Sequence, residues 1–199
     1  MSYWEHPKPV RRARSVDVRD IARVAVDLLD EGGLRALTIR AVAHRLEVAP
    51  ASLYSRVTSV DDLFDLALDD ALGHDARLQE ATEHAELHTL MLVYYHHLVQ
   101  HPWACQVIAM RAPRGPNYLR LSERMCTLLA ERGSTDPLGD AYALSNFVIG
   151  SATTTPMASH ERHAAVDSDV APFYASLHAS HGVDAEAILS AGLDALLCR

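Results

Sequence analysis

Apolar residues recur at three- and four-residue spacing along most of the chain, and nowhere do they alternate with polar ones over a strand's length. The pattern predicts an all-α protein. A first helix over about Val18 to Glu31 carries Ile21, Val24, Ala25, Leu28 and Leu29 on one face. Asp17 and Asp20 favour its start, and Gly32-Gly33 stop it. Two short helices joined by a three-residue turn come next. Thr38 caps the first of them, with Ile39, Val42, Ala43 and Leu46 at helical spacing. The other runs from about Pro50 to Val57, with the proline in its first turn, where no N–H is needed. Its inward residues are Leu53 and Val57, while Ala51, Ser52, Ser55 and Arg56 stay outside. A fourth helix follows a Ser59 cap and turns Leu63, Phe64, Ala67, Leu68, Ala71 and Leu72 inward.

Beyond Gly73 a second helical region begins. Helices are predicted over about His84 to Gln100, Trp103 to Met110, Asn117 to Glu131, Pro137 to Met157, Pro172 to Ala179 and Asp184 to Leu197. Prolines and glycines at Pro102, Pro113, Gly115, Pro116 and Gly133 punctuate them. Residues 159 to 171 are polar and loop-like. Small and polar residues opening an exposed helix suit entry into a DNA major groove. The pattern alone fits an ordinary helical hairpin in a globular core equally well.

Resemblance separates the two. Leu37-Thr38-Ile39-Arg40, Val42-Ala43 with Leu46, Leu53-Tyr54 and Asp62-Leu63 stand in linked spacing, after a helix ending Leu28-Leu29-Asp30-Glu31-Gly32-Gly33-Leu34. Over roughly residues 17 to 72 the chain thereby resembles the TetR family of bacterial regulators. The resemblance implies a flexible basic arm over 1–15, a helix-turn-helix DNA-binding domain over 16–62, a linking helix four over about 60–72, and a helical effector-binding and dimerisation domain over 73–199. It implies phosphate contacts from Thr38, Arg40 and Tyr54, and base-edge contacts from Pro50, Ala51, Ser52, Ser55 and Arg56. Arg56 is the sharpest candidate, since a guanidinium can bond guanine O6 and N7 together; a phosphate-bound or solvated arginine is the other reading. Arg11, Arg12 and Arg14 could enter a minor groove, or form a solvated tail. Three positions depart from the family pattern. Glu47 stands where a glycine is usual in the turn, at a cost on the order of 1 kcal/mol for positive φ. Arg56 replaces a more usual histidine. Val60 replaces a phosphate-binding lysine, which with Asp61 and Asp62 weakens the helix-four contact.

The net charge of −8 would argue against nucleic acid, but it is unevenly spread. Residues 1–60 carry ten Lys/Arg against seven Asp/Glu, and the remainder carries eight against nineteen. Screening confines phosphate attraction to about 8 Å, so a basic head on an acidic body is compatible with DNA. No stretch approaches the roughly 20 apolar residues of a membrane span, and the N-terminus lacks the apolar run of a secretory signal. Three separated cysteines without a CxxC read as reduced thiols of a cytoplasmic protein. Twelve histidines raise a metal hypothesis, since the spacings of His160/His163 and His84/His88 could bring two ring nitrogens together. Neither carries a zinc-hydrolase motif. No nucleophile–base pairing is evident, so neither enzyme activity, a metal nor a cofactor is expected.

The second region resembles the family's effector domain only loosely. Candidate lining residues are Trp103, Val107, Met110, Arg111, Asn117, Tyr118, Met125, Asn146, Phe147 and Thr154. Plain core is the competing reading for each apolar member. Arg111 and Asn146 are favoured because a polar group among apolar helices needs a partner; an inward Arg111 would take an anionic or carbonyl-bearing ligand. Tetracycline-binding relatives hold a magnesium–drug complex through a histidine and a glutamate; Ile108 and Thr154 stand near those positions here, which disfavours such a ligand. The helix from Tyr142 to Met157 is apolar nearly all round, with small Gly150, Ser151 and Ala152, and the last helix is similar. In the family these helices pair in a homodimer, presenting two heads to a palindromic operator. The expectation is a ligand-released repressor; a DNA-binding regulator governed by a protein partner, without a small-molecule inducer, is the alternative.

Overall fold

The computed structural model describes residues 2–5, 16–161, 164–182 and 184–198, with only the backbone of Ser159. Among these residues the chain forms a 3₁₀ turn at Tyr3–Glu5 and eleven α-helices, with no strand. In order they are α1 (Val18–Gly32), α2 (Ile39–Arg45), α3 (Pro50–Leu53), α4 (Val60–His74), α5 (Ala76–His84), α6 (Leu87–Gln100), α7 (Pro102–Met110), α8 (Pro116–Glu131), α9 (Pro137–Glu161), α10 (Pro172–Ser180) and α11 (Ala185–Leu197). No helix among the described residues is long and apolar enough to cross a membrane. The proposed arm residues Arg11, Arg12 and Arg14 lie outside the described residues, as do Arg162 and His163.

Local chemistry shapes the head. The Asp17 carboxylate accepts the Arg19 N–H at 2.9 Å and starts α1, while Gly33, at φ 65°, ends it. Thr38 Oγ1 accepts the Ala41 N–H at 3.0 Å and starts α2. Glu47 has φ 54° in the turn between α2 and α3, the strained conformation expected of that position; it costs roughly 1–2 kcal/mol in a side-chain-bearing residue. Val42, Ala43, Leu53 and Val57 are buried in the same core as Ile21, Ala25 and Leu29 of α1.

Four boundaries differ from the sequence pattern. The element expected over Pro50 to Val57 is helical only to Leu53. Ser55 Oγ donates to the Ser52 carbonyl at 2.7 Å, and Arg56 N donates to the Leu53 carbonyl at 2.8 Å, tightening the chain into a turn. Ser59 makes no side-chain cap; instead Asp62 reaches back to the Thr58 N–H at 2.6 Å and the Thr58 hydroxyl at 2.7 Å. The helix expected to begin near His84 begins at Leu87, and a separate helix, α5, fills Ala76–His84 before it, where none was predicted. Asp75 starts α5 by accepting the Arg77 and Leu78 N–H groups, but only Leu78 and Ala81 of that helix are buried, too few to mark it by periodicity. Finally, α9 runs through Pro156 to Glu161, so residues 159–161 are helical.

The helix that organises the fold is α4. Leu63, Phe64, Leu66, Ala67, Leu68, Ala71 and Leu72 are buried, and so are Asp62, Asp65 and Asp69, because α1, α5, α7, α8 and the 3₁₀ turn surround it. The second domain centres on α6, whose Leu87, Leu90, Met91, Tyr94 and Leu98 pack beneath α9, flanked by α8 and α11. The start of α8 is seated on α4. Asp69 accepts the Asn117 N–H at 2.8 Å, the Tyr118 N–H at 3.2 Å and Asn117 Nδ2 at 2.9 Å. Gly115 permits this approach, since a Cβ there would run into the Asp69 carboxylate.

Removing Asp69 would strand several enclosed donors. Asp69→Ala is expected to lower stability by about 2–3 kcal/mol, with Gly115→Ala destabilising through the same contact. Urea unfolding checks this; unchanged midpoints for both variants would contradict it.

Candidate nucleic-acid interface and cavity

Thr38, Arg40, Pro50, Ala51, Ser52, Tyr54 and Ser55 all lie on the outer surface of the head. Tyr54 is 51% exposed. The seven run from the start of α2 to the turn after α3, each exposed. Arg56 does not join them. It is 5% exposed, and its Nε donates 3.0 Å to the Val16 carbonyl, just before α1. The turn after α3 points this side chain inward rather than along the outer face, so the expected bidentate contact to guanine is not available in this conformation. Its charge instead ties the end of the helix-turn-helix to the chain's entry into α1. Arg45 is likewise engaged, forking onto Glu31 at 3.0 and 2.7 Å and joining α2 to α1. Val60 is half-buried at the start of α4 and offers no donor.

A cavity of about 560 Å³ opens between the end of α7, α8 and the first half of α9. Met110, Arg111, Tyr118, Met125 and Asn146 line it, as the sequence suggested. Five other candidates do not, each for a visible reason. Trp103 is buried, with its indole N–H donating to Asp30 at 2.6 Å. Val107 belongs to the closed core. Asn117 is spent on Asp69. Phe147 packs against Gly192 of α11, and Thr154 borders a separate shallow hollow beside Met157 and Ile188. The sequence reading missed Ser122, Cys126, Leu138, Tyr142 and Ser145 from α8 and α9. Their three- and four-residue spacing matches core and cavity wall alike. Burial pushes the Tyr118 hydroxyl above its ordinary value, keeping it a neutral hydrogen-bonding group.

Arg111 lines the cavity, but its guanidinium reaches α4. Nη1 is 2.9 Å from Asp61 Oδ2 and Nε is 2.9 Å from Asp65 Oδ1, with Nη2 3.3 Å from Asp65 Oδ2. One side chain thus borders the cavity wall and holds the helix that carries the head. Asp65 and Asp69 were not singled out from the sequence. Their signal was the acidic spacing 62, 65, 69 within an apolar helix, which sets carboxylates on inward-facing turns.

The histidines gather elsewhere. A second cavity, of about 570 Å³, lies between α1, α4, α5 and α6 and is bordered by His74, His96, His97 and His101. His101 Nδ1 is 2.7 Å from Asp30, and His97 Nδ1 is 2.9 Å from Asp75. Among the described residues no cluster of three or more His, Cys, Asp or Glu could hold a metal ion. His160 sits in the last turn of α9 rather than in a loop. Burial depresses His97 below the ordinary histidine value. Its Nε2 is enclosed without a partner, so the ring is a neutral donor to Asp75.

Residues 21–67 match the family profile for bacterial regulatory proteins, tetR family, and residues 78–189 match the tetracyclin repressor-like C-terminal domain. An HTH-type transcriptional regulator of Saccharopolyspora erythraea is 34% identical over 174 residues, covering 84% of this chain and 73% of that protein. The HTH-type transcriptional repressor DrrR1 of Streptomyces coeruleorubidus is 31% identical over 157 residues, or 73% of this chain and 54% of that one. The crystal structure of the Streptomyces coelicolor TetR family protein ActR in complex with actinorhodin gives a TM-score of 0.71 at 24% identity, covering 92% of this chain and 95% of that chain. At that identity the likeness is one of fold.

Two outcomes follow from this geometry. Arg56→Ala is expected to cost about 1.5–3 kcal/mol of stability and to weaken DNA binding evenly across sequences. A shift of preference at a single base pair with unchanged melting would contradict the inward placement. His97, being depressed, leaves the native chain unprotonated in a pH range where the unfolded chain takes up a proton. Stability should therefore fall as pH drops below about 6.5, and His97→Gln should flatten that slope in pH-dependent melts.

Proposed function

The chain belongs to the TetR family of bacterial regulatory proteins and is a DNA-binding transcriptional regulator; from that premise we propose that it is a cytoplasmic homodimeric repressor released from a palindromic operator by a small molecule. The seven outward residues of the head, Thr38, Arg40, Pro50, Ala51, Ser52, Tyr54 and Ser55, are its DNA-contacting set. Thr38, Arg40 and Tyr54 meet phosphates, and the small residues opening α3 meet base edges. The unit organisation is an N-terminal segment to residue 15, of which Ser2–Glu5 packs on α4 rather than extending as an arm, then a head over 16–62, α4 as the link, and an effector and dimerisation region from 73 onward.

The observation that carries this reading is Arg111, in the cavity wall and on α4 at once. A ligand with an anionic or carbonyl oxygen, entering among Tyr118, Met125 and Asn146, would compete with Asp61 and Asp65 for that guanidinium. Release of α4 would then change the spacing of the two heads. A coupling of about 1–3 kcal/mol shifts operator affinity roughly 5- to 150-fold, and it requires only that ligand bind the two states unequally. The repressor named among the relatives supports the sign of regulation, and the actinorhodin complex of a protein of this fold supports a small-molecule effector.

Dimerisation is supported by surfaces the single chain leaves open. Ala143, Gly150 and Met157 on α9 and Ala187, Ile188, Ala191 and Ala195 on α11 are exposed at helical spacing. Helices with a second apolar face bury it against a partner.

DNA selected by the purified protein from a random pool is expected to carry an inverted repeat with half-site centres about one helical turn apart. Light scattering on the same sample should give twice the 21.9 kDa chain mass. A motif without twofold symmetry, or a clean monomer, would overturn the reading.

A further inference from the structure

The N-terminal residues, expected to be disordered as part of an arm, are packed. Ser2 Oγ donates to Asp65 Oδ2 at 2.9 Å and the Tyr3 N–H donates to the same oxygen at 2.8 Å. The turn closes on itself, with Ser2 N donating to Glu5 Oε2 and Glu5 N to the Ser2 carbonyl, both at 3.0 Å. Tyr3 is buried, and the indole of Trp4 meets it edge-on with ring centres 5.2 Å apart.

The carboxylate that anchors this turn is the one Arg111 holds from the cavity side. Asp65 is 5% exposed, and it receives two neutral donors from the N-terminus and a charged fork from Arg111. An enclosed carboxylate keeps its charge only while its donors together replace water. Each set therefore supports the other. The turn packs on α4, and burial pushes the Tyr3 hydroxyl above its ordinary value, with the charges of Arg56 and Asp62 acting on it in opposite senses. Those two residues tie down the end of the helix-turn-helix and the start of α4.

We propose that Ser2–Glu5 is a strut that positions the recognition element on α4, and that Asp65, shared with Arg111, lets occupancy of the cavity loosen it. Ser2, Tyr3 and Asp65 are positioning residues, touching neither DNA nor ligand. The proposal rests on the cavity being the effector site, but its anchor can be tested without ligand or DNA.

The full chain labelled with 5-fluorotryptophan gives fluorine resonances for Trp4 and Trp103, its two tryptophans, assigned through Trp4→Phe. Arg111→Gln is expected to move the Trp4 resonance toward its position in the urea-unfolded chain while Trp103 stays in place. An unmoved Trp4 would overturn the shared anchor. Should Arg111→Gln fail to fold, Arg111→Lys, which keeps the charge and loses the fork, should give a smaller move in the same direction. Affinity for DNA selected from the random pool supplies the second readout. Ser2→Ala and Arg111→Gln should each weaken binding about 5- to 10-fold, and the double variant should be no worse than Arg111→Gln alone, with Ser2→Thr restoring most of the loss. Strictly additive losses, or a moved Trp4 with unchanged DNA affinity, would overturn the positioning role. Failure of the effector reading would show separately, as a Trp4 response intact in a protein no small molecule releases from DNA.

Discussion

A carboxylate taken out of water must be given donors enough to replace its hydration, and α4 takes three of them inside. Asp62 finds Thr58 at the helix's own start, Asp65 finds Ser2, Tyr3 and Arg111, and Asp69 finds the first turn of α8. Each would be costly alone, and each is met by a segment remote from the others in the chain. Burial of these charges therefore fixes where the N-terminus, the end of α7 and the start of α8 must lie. The apolar residues between them supply the driving force for collapse, while the carboxylates choose among the ways of packing it. Gly115 marks how closely this arrangement is fitted, because only a residue without a Cβ lets α8 begin where Asp69 can reach it.

The same arrangement explains how an acidic chain can carry a DNA-binding head. Asp61 and Asp65 both lie on α4 near the head, and both are paired to Arg111. The acidic excess belongs to the body beyond residue 60, and screening limits its reach to about 8 Å. Pairing across the joint has a consequence for regulation. A single guanidinium neutralises carboxylates of the linking helix and borders the cavity, so any group that draws it away changes the charge and the attachment of α4 together.

Local features of the head were legible in the sequence. Thr38 as a cap, the Gly33 stop and the positive φ of Glu47 are decided by residues within a turn of each other, and so is the inward face of α4. What the sequence hid was decided across distance. Arg56 looks like an outward reader by helical spacing, yet the chain leaves the helix after Leu53 and buries it on Val16, forty residues earlier. The N-terminal turn looks like a solvated tail until Asp65 is seen to receive it. Five of ten cavity candidates were misplaced because a wall residue and a core residue share one periodicity; only partners such as Asp30, Asp69 and Gly192 tell Trp103, Asn117 and Phe147 apart. Helix α5 escaped notice because two buried residues make too faint a stripe.

The buried carboxylates of α4 thus join segments distant in sequence into one cooperative unit. Native-state amide hydrogen exchange on the full chain measures this most directly. The amides of Tyr3, Thr58, Asn117 and Tyr118, all of which donate to these carboxylates, should open with the same free energy as Leu68 in the middle of α4. Exchange of Tyr3 and Asn117 at the rates of a free peptide, with Leu68 still protected, would contradict it.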